Sequence, residues 1–133
     1  MSHTYLYTSL IKQYSKQLGF DFCGIAKAEP LDEDAKRLEH WLRNGMQGSM
    51  QYMENHFDLR IDPVKLVPGA RSVITLMMNY FPSTKQVEGA PKISKYAYGR
   101  DYHEVIREKL KALMQLLKEH IGDINGRGFV DSA

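Results

Sequence analysis

The sequence predicts an α/β (α+β) fold, a mixed sheet flanked by helices. Three observations carry this. Apolar residues recur at helical spacing in three separate stretches. Four short strand-like runs of aliphatic and aromatic residues lie between or beside them. The two kinds of segment interleave along the chain rather than segregating, which is the pattern of a layered helix-and-sheet structure.

Leu6, Leu10, Tyr14 and Leu18 fall at a helical interval, and Gly19 stands where a left-handed carboxyl cap is wanted. Phe20 to Ile25 alternates its side chains between two faces and reads as a strand. Leu31, Ala35, Leu38 and Leu42 form the second helical stripe, stopped by Gly45. After Gly48, Ser49 to Glu54 reads as a short helix. Pro68-Gly69 is a turn signal. The near-continuous apolar run Ser72 to Tyr80 that follows is the expected central strand, covered on both faces. Pro82 through Pro91 is an exposed loop, and the alternation from Ile93 to Tyr98 predicts a further strand. Asp101 and Glu104 have capping-box spacing ahead of the stripe Ile106, Leu110, Leu113 and Leu117. Asn125-Gly126 is a turn signal leading into Gly128 to Asp131, which begins like a strand.

Composition excludes more than it selects. At 133 residues, 43% hydrophobic and 26% charged, the chain has the size and balance of one globular domain, not of a fibre, a disordered tail or a disulfide scaffold. The longest apolar run, Val73 to Met78 interrupted by Thr75, is far short of the roughly 20 residues a membrane span requires. The amino terminus carries no basic segment followed by an apolar one. A cytoplasmic protein with no membrane partner is expected. The single cysteine, Cys23, permits neither an intrachain disulfide nor a multi-cysteine metal site.

The net charge of +2 does not by itself point to nucleic acid. Between Lys92 and Lys111, six basic residues face three acidic ones, a pattern compatible with a solvated helix face or with a small RNA-binding surface. No phosphate loop, dinucleotide fingerprint, zinc-protease motif or nucleophile elbow is present. The five histidines are scattered, and no residue is assigned as a metal ligand. Met46, Met50, Met53, Met77 and Met78 suit either core packing or an adaptable pocket. The segment Tyr96 to His103 is aromatic and basic and runs into a helix start. Its backbone N–H groups and Arg100 would receive an anion such as a phosphate; a capped helix with packed tyrosines explains the same residues.

Tyr98-Gly99-Arg100-Asp101-Tyr102-His103, followed by Arg107-Glu108-Lys109-Leu110 and by Phe129-Val130-Asp131-Ser132-Ala133, is similar to the amino-terminal region of epoxyqueuosine reductases. Leu18-Gly19-Phe20 with Gly24-Ile25 agrees. So do Trp41-Leu42 through Gly48 to Met53, Leu59-Arg60 with Asp62-Pro63, and Leu66 with Pro68-Gly69-Ala70. The resemblance covers essentially the whole chain. It implies an oxidoreductase that reduces epoxyqueuosine to queuosine in the tRNA anticodon, the last step of queuosine biosynthesis.

The same resemblance implies cobalamin, supplied with electrons by two four-iron, four-sulfur (4Fe-4S) clusters, on a domain similar to the cobalamin-binding domains of reductive dehalogenases and cobalamin-processing proteins. Residues 1–133 would be the amino-terminal cobalamin-binding portion of the catalytic domain, cut off after Val130-Asp131-Ser132, with the iron–sulfur and helical-repeat domains absent. Asp131 matches the family's proposed proton donor and would lie at the cofactor. Arg60 and Ser94 match positions that approach the corrin. Tyr98, Arg100 and His103 would shape the substrate side. Neither cluster would be held here, because each takes four thiolates and the chain has one cysteine. The fragment alone would be inactive. A stand-alone interaction module, pairing or forming a homo-oligomer through an open sheet edge, is the alternative from another class.

Overall fold

A computed structural model describes residues 3–131; Ser132 of the Val130-Asp131-Ser132 motif lies outside them. The order is α1 (His3–Gln17), β1 (Phe22–Lys27), α2 (Asp32–Arg43), a 3₁₀ turn (Gln51–Glu54), α3 (Phe57–Ile61), α4 (Pro63–Leu66), β2 (Ser72–Met77), a second 3₁₀ turn (Lys95–Ala97) and α5 (Tyr102–Ile121). Among the described residues the sheet is the pair β1-β2, not the larger mixed sheet expected. Flanking backbone bonds from Asp21 N–H to Met77 and from Ala28 N–H to Arg71 set the strands antiparallel.

The predicted stops operate through their backbone geometry. Gly19 has φ +89°. Its N–H donates to Lys16 C=O, and that of Phe20 to Ser15 C=O, which together form a Schellman motif closing α1. Gly45 and Met46 repeat the arrangement on Leu42 and Trp41 at the end of α2. Ala70 N–H closes a turn on Val67 C=O, with Pro68 at its second position and Gly69 at φ +81°, the type II signature.

Four strand expectations are corrected. Phe20 is taken by the α1 cap, so β1 starts two residues later. β2 ends at Met77 instead of Tyr80, because the Asn79 side chain accepts from Phe81 N–H at 2.9 Å and turns the backbone. Nor is β2 covered on both faces: Val73 and Met77 are exposed. Ile93 to Tyr98 forms no strand. Ala97 and Tyr98 N–H groups donate back to Ser94 and Lys95, so local turns satisfy the backbone in place of a ladder. Residues 124–130 have no regular structure either.

The chain divides into two compact units. One comprises the chain up to Gly24 and from Thr75 onward, and its core lies between α1 and α5. Leu113 and Leu117 of α5, Phe20 and Val130 are buried, and the small Ser15 lets the helices approach while its hydroxyl donates to Ile11 C=O. Tyr14 and His120 meet ring to ring at 5.0 Å. The Lys109 ammonium donates to Leu18 C=O at the α1 end. The other unit, Ile25–Ile74, contains α2, α3 and α4 and buries only Ala28 and Gln47. Within it Leu31 N–H donates to Ile61 C=O at 2.8 Å.

Candidate functional site

The start of α5 and the end of the described chain meet at Asp131. Asp101 caps the helix, its carboxylate accepting from His103 N–H at 2.9 Å. That bond, with a second from the His103 ring, holds the Asp101 carboxyl below its usual range. The cap also fixes Tyr102 and His103 on the first helical turn. From there Tyr102 O–H donates to Asp131 Oδ2, and His103 Nε2 lies 3.2 Å from the same oxygen. His103 Nδ1 is 2.8 Å from Asp101 Oδ1, so the imidazole bridges two carboxyl groups.

Asp131 arrives there because the preceding segment lies against α5. A side chain at Gly128 would stand 3.1 Å from Leu110, and one at Gly126 would meet the tip of Met114. Val130 is buried behind it. Asp131 itself is left-handed at φ 55°, a turn conformation that Asp adopts more readily than most residues. Tyr102 is further enclosed by Tyr96, edge-on at 6.0 Å, and stacks on the His103 ring at 4.0 Å. Its hydroxyl is pushed up to about 12, chiefly by the bond to Asp131.

An open groove of about 550 Å³ lies in the same unit, lined by Pro82, Thr84, Gln86, Ile93, Ala97, Tyr98 and Gly99. Its walls are mostly apolar, with the Gln86 amide as a hydrogen-bonding group. Tyr80 and Tyr96 meet edge to face at 6.5 Å, and the Lys95 ammonium sits over the Phe81 ring.

The residues singled out in the sequence are distributed as follows. Asp131 and His103 come together. Tyr98 lines the groove, and Ser94 lies in the same segment, exposed, its carbonyl accepting from Ala97 N–H. Arg100 is turned along α5 onto Glu108 at 2.8 Å, with Glu104 at 3.9 Å. Arg60 belongs to the other unit, where it donates to the carbonyls of Asn55 and Tyr52 and ties that loop together. Tyr102, and Asp101 beyond its cap, were not among the expected site residues. Both stand in the Tyr98–His103 motif, but the link from Tyr102 to Asp131 spans 29 positions.

Comparison with known proteins follows the same lines. Residues 60–132 match the family described as epoxyqueuosine reductase QueG, DUF1730. The chain belongs to the epoxyqueuosine reductase family. It is 58% identical over 127 residues to the epoxyqueuosine reductase of Cellulophaga algicola, which covers 96% of the chain and 42% of that relative. The chain thus spans less than half the length of the curated relatives it matches. Two solved reductase structures, each 27% identical and with a TM-score of 0.72, cover 89% of it. One, over 32% of its own length, holds an epoxyqueuosine-modified tRNA stem loop. The other, from Bacillus subtilis and matched over 33%, has an aspartate-bearing catalytic loop swung out of its active site. Among the described residues no helix is long and apolar enough to cross a membrane.

Proposed function

We propose that this chain is the corrinoid-facing, amino-terminal portion of an epoxyqueuosine reductase acting on the tRNA anticodon in the cytoplasm, with Asp131 as its proton donor. Membership of the reductase family supports the reaction. The observation that carries the assignment of Asp131 is its carboxyl group, held by Tyr102 and His103.

Opening an epoxide by reduction leaves an alkoxide, and a positioned acid must protonate it as charge develops. Asp131 is suited to this because one of its oxygens is fixed while its side chain is 55% exposed, leaving room for a substrate oxygen to approach. Cobalamin, when bound, supplies the strongly reducing metal centre for this chemistry. The groove fits part of such a group: the apolar surface of Ile93, Ala97 and Tyr98 suits a corrin face, while the Gln86 amide bonds within its own loop, to Pro91 C=O and from Ile93 N–H, at 3.4 Å each. At about 550 Å³ and open, it would take one side of the macrocycle and not the whole. Ser94 would stand beside it. The chain does not fit either 4Fe-4S cluster, having one cysteine, so the electrons come from outside these residues. An RNA stem loop would meet the Tyr98–His103 side.

The test is reduction of an epoxyqueuosine-bearing stem loop by the cobalamin- and cluster-loaded enzyme. Asp131→Asn is expected to leave RNA binding intact and to lower turnover on the order of 10²-fold or more. Wild-type turnover by that variant removes Asp131 from the role. Titration with cobalamin, followed by corrin absorption, tests the groove; an unshifted spectrum counts against it.

A further inference from the structure

Removing an epoxide oxygen to leave an alkene releases water, and the balance is two electrons and two protons per turnover. The electrons are the reductant's. A single carboxylic acid holds one proton, so after the first transfer Asp131 is a carboxylate and has nothing left to give. A second proton must reach it or the leaving oxygen before product can form.

The structure places one group where it can meet this need. His103 Nε2 is 3.2 Å from Asp131 Oδ2, and its Nδ1 is 2.8 Å from Asp101 Oδ1. A neutral imidazole carries one N–H and can donate to only one of two carboxylates. A bridge between both therefore has a place for a second proton. The His103 side chain is 37% exposed, so a spent proton can be replaced from solvent. Tyr102 restrains the acceptor: its O–H donates to the same Asp131 oxygen, and its ring is packed between Tyr96 and His103. Among the described residues Arg107, one turn along α5 from His103, adds a positive charge that acts on Asp101.

We propose that Tyr102 and His103 are the positioning pair of Asp131: the phenol holds the carboxyl, and the imidazole, fixed by Asp101, returns the proton that the carboxyl gives up. The inference rests on Asp131 being the acid. The sequence of bonds closes. As the reductant's electrons open the first C–O bond, the Asp131 O–H breaks and the substrate alkoxide O–H forms; the His103 Nε2–H then breaks as the Asp131 O–H is remade, and solvent reprotonates the ring. Asp131 then protonates the leaving oxygen a second time as the remaining C–O bond breaks and water departs, and a second transfer from His103 restores the Asp131 O–H.

In the loaded enzyme, His103→Gln keeps a hydrogen-bonding side chain but cannot relay a proton. It is expected to lower kcat on the order of 10²-fold while KM stays within about twofold. His103→Ala is expected to regain part of kcat with added imidazole, which a purely structural histidine would not show. Tyr102→Phe keeps the ring packing and is expected to lower kcat about tenfold by freeing the carboxyl. A second readout needs no turnover. In the ¹⁵N-histidine-labelled protein without cofactors, Asp131→Asn is expected to shift the His103 Nε2 resonance and leave Nδ1 nearly in place. Wild-type kcat for His103→Gln beside an inactive Asp131→Asn overturns the relay and leaves the acid intact. An unmoved Nε2 resonance overturns the contact itself. Full activity of Asp131→Asn instead overturns the assignment beneath both.

Discussion

Tyr102 gives its hydroxyl proton to a bond with Asp131, and the neighbouring carboxyl disfavours the phenolate, so its pKa is pushed up to about 12 from 10. Because the folded value is raised, the stabilisation from this bond is fully present below pH 10 and is lost as pH rises through about 12. Titration of tyrosine absorbance, taken as the difference between the wild type and Tyr102→Phe, is expected to show one phenol ionising last, near 12. In Asp131→Asn that phenol should move back toward 10; an unchanged titration would mean the bond is not made in solution. The site was half legible at this scale. Asp131 and His103 stand out through the motif they share with a known family, whereas Tyr102 looks like one more aromatic in a tyrosine-rich stretch. Only contact across 29 positions distinguishes it.

Helix ends and helix faces are where local sequence acts most directly. Gly19 closes α1 at φ +89°, and a β-carbon there would also stand 3.1 Å from the Lys109 ammonium that bonds the same helix end. Gly19→Ala should therefore destabilise by about 1–2 kcal/mol, the cost of a left-handed L-residue. Leu117 is 3% exposed against α1, and Leu117→Ala should cost about 2–5 kcal/mol. Urea denaturation of both variants checks these values; a neutral Leu117→Ala would mean that α5 does not form the core. The stops at Gly19 and Gly45, the turn at Pro68-Gly69 and the buried stripe of α5 were all legible, because each depends on residues within one or two turns. The strand expected over Ile93 to Tyr98 was not. Alternation says which face a side chain would take in a ladder, but not whether a partner strand exists, and without one the backbone turned on itself at Ser94 and Lys95.

Across the whole molecule, burial is uneven. The unit containing α1 and α5 has Phe20, Leu113, Leu117 and Val130 buried, whereas Ile25–Ile74 buries only Ala28 and Gln47. Hydrogen exchange should find the mid-helix amides of α5 last to exchange, and those of α2 at least about tenfold faster. Equal protection would show that α2 has a support other than the burial seen here. The sequence by itself determined the three long helices, the two strands that pair, the stops at Gly19 and Gly45, the Pro68-Gly69 turn and the family, since these reside in residue order and short-range backbone preference. Tertiary structure alone decided that the sheet is a two-stranded antiparallel pair among the described residues, that Arg60 ties a loop while Arg100 pairs along its own helix, and that Asp131 is held by Tyr102 and His103. The reason is physical: a carboxyl group finds a phenol 29 residues away only when Gly126 and Gly128 let the intervening chain lie against α5, and no local pattern encodes that approach.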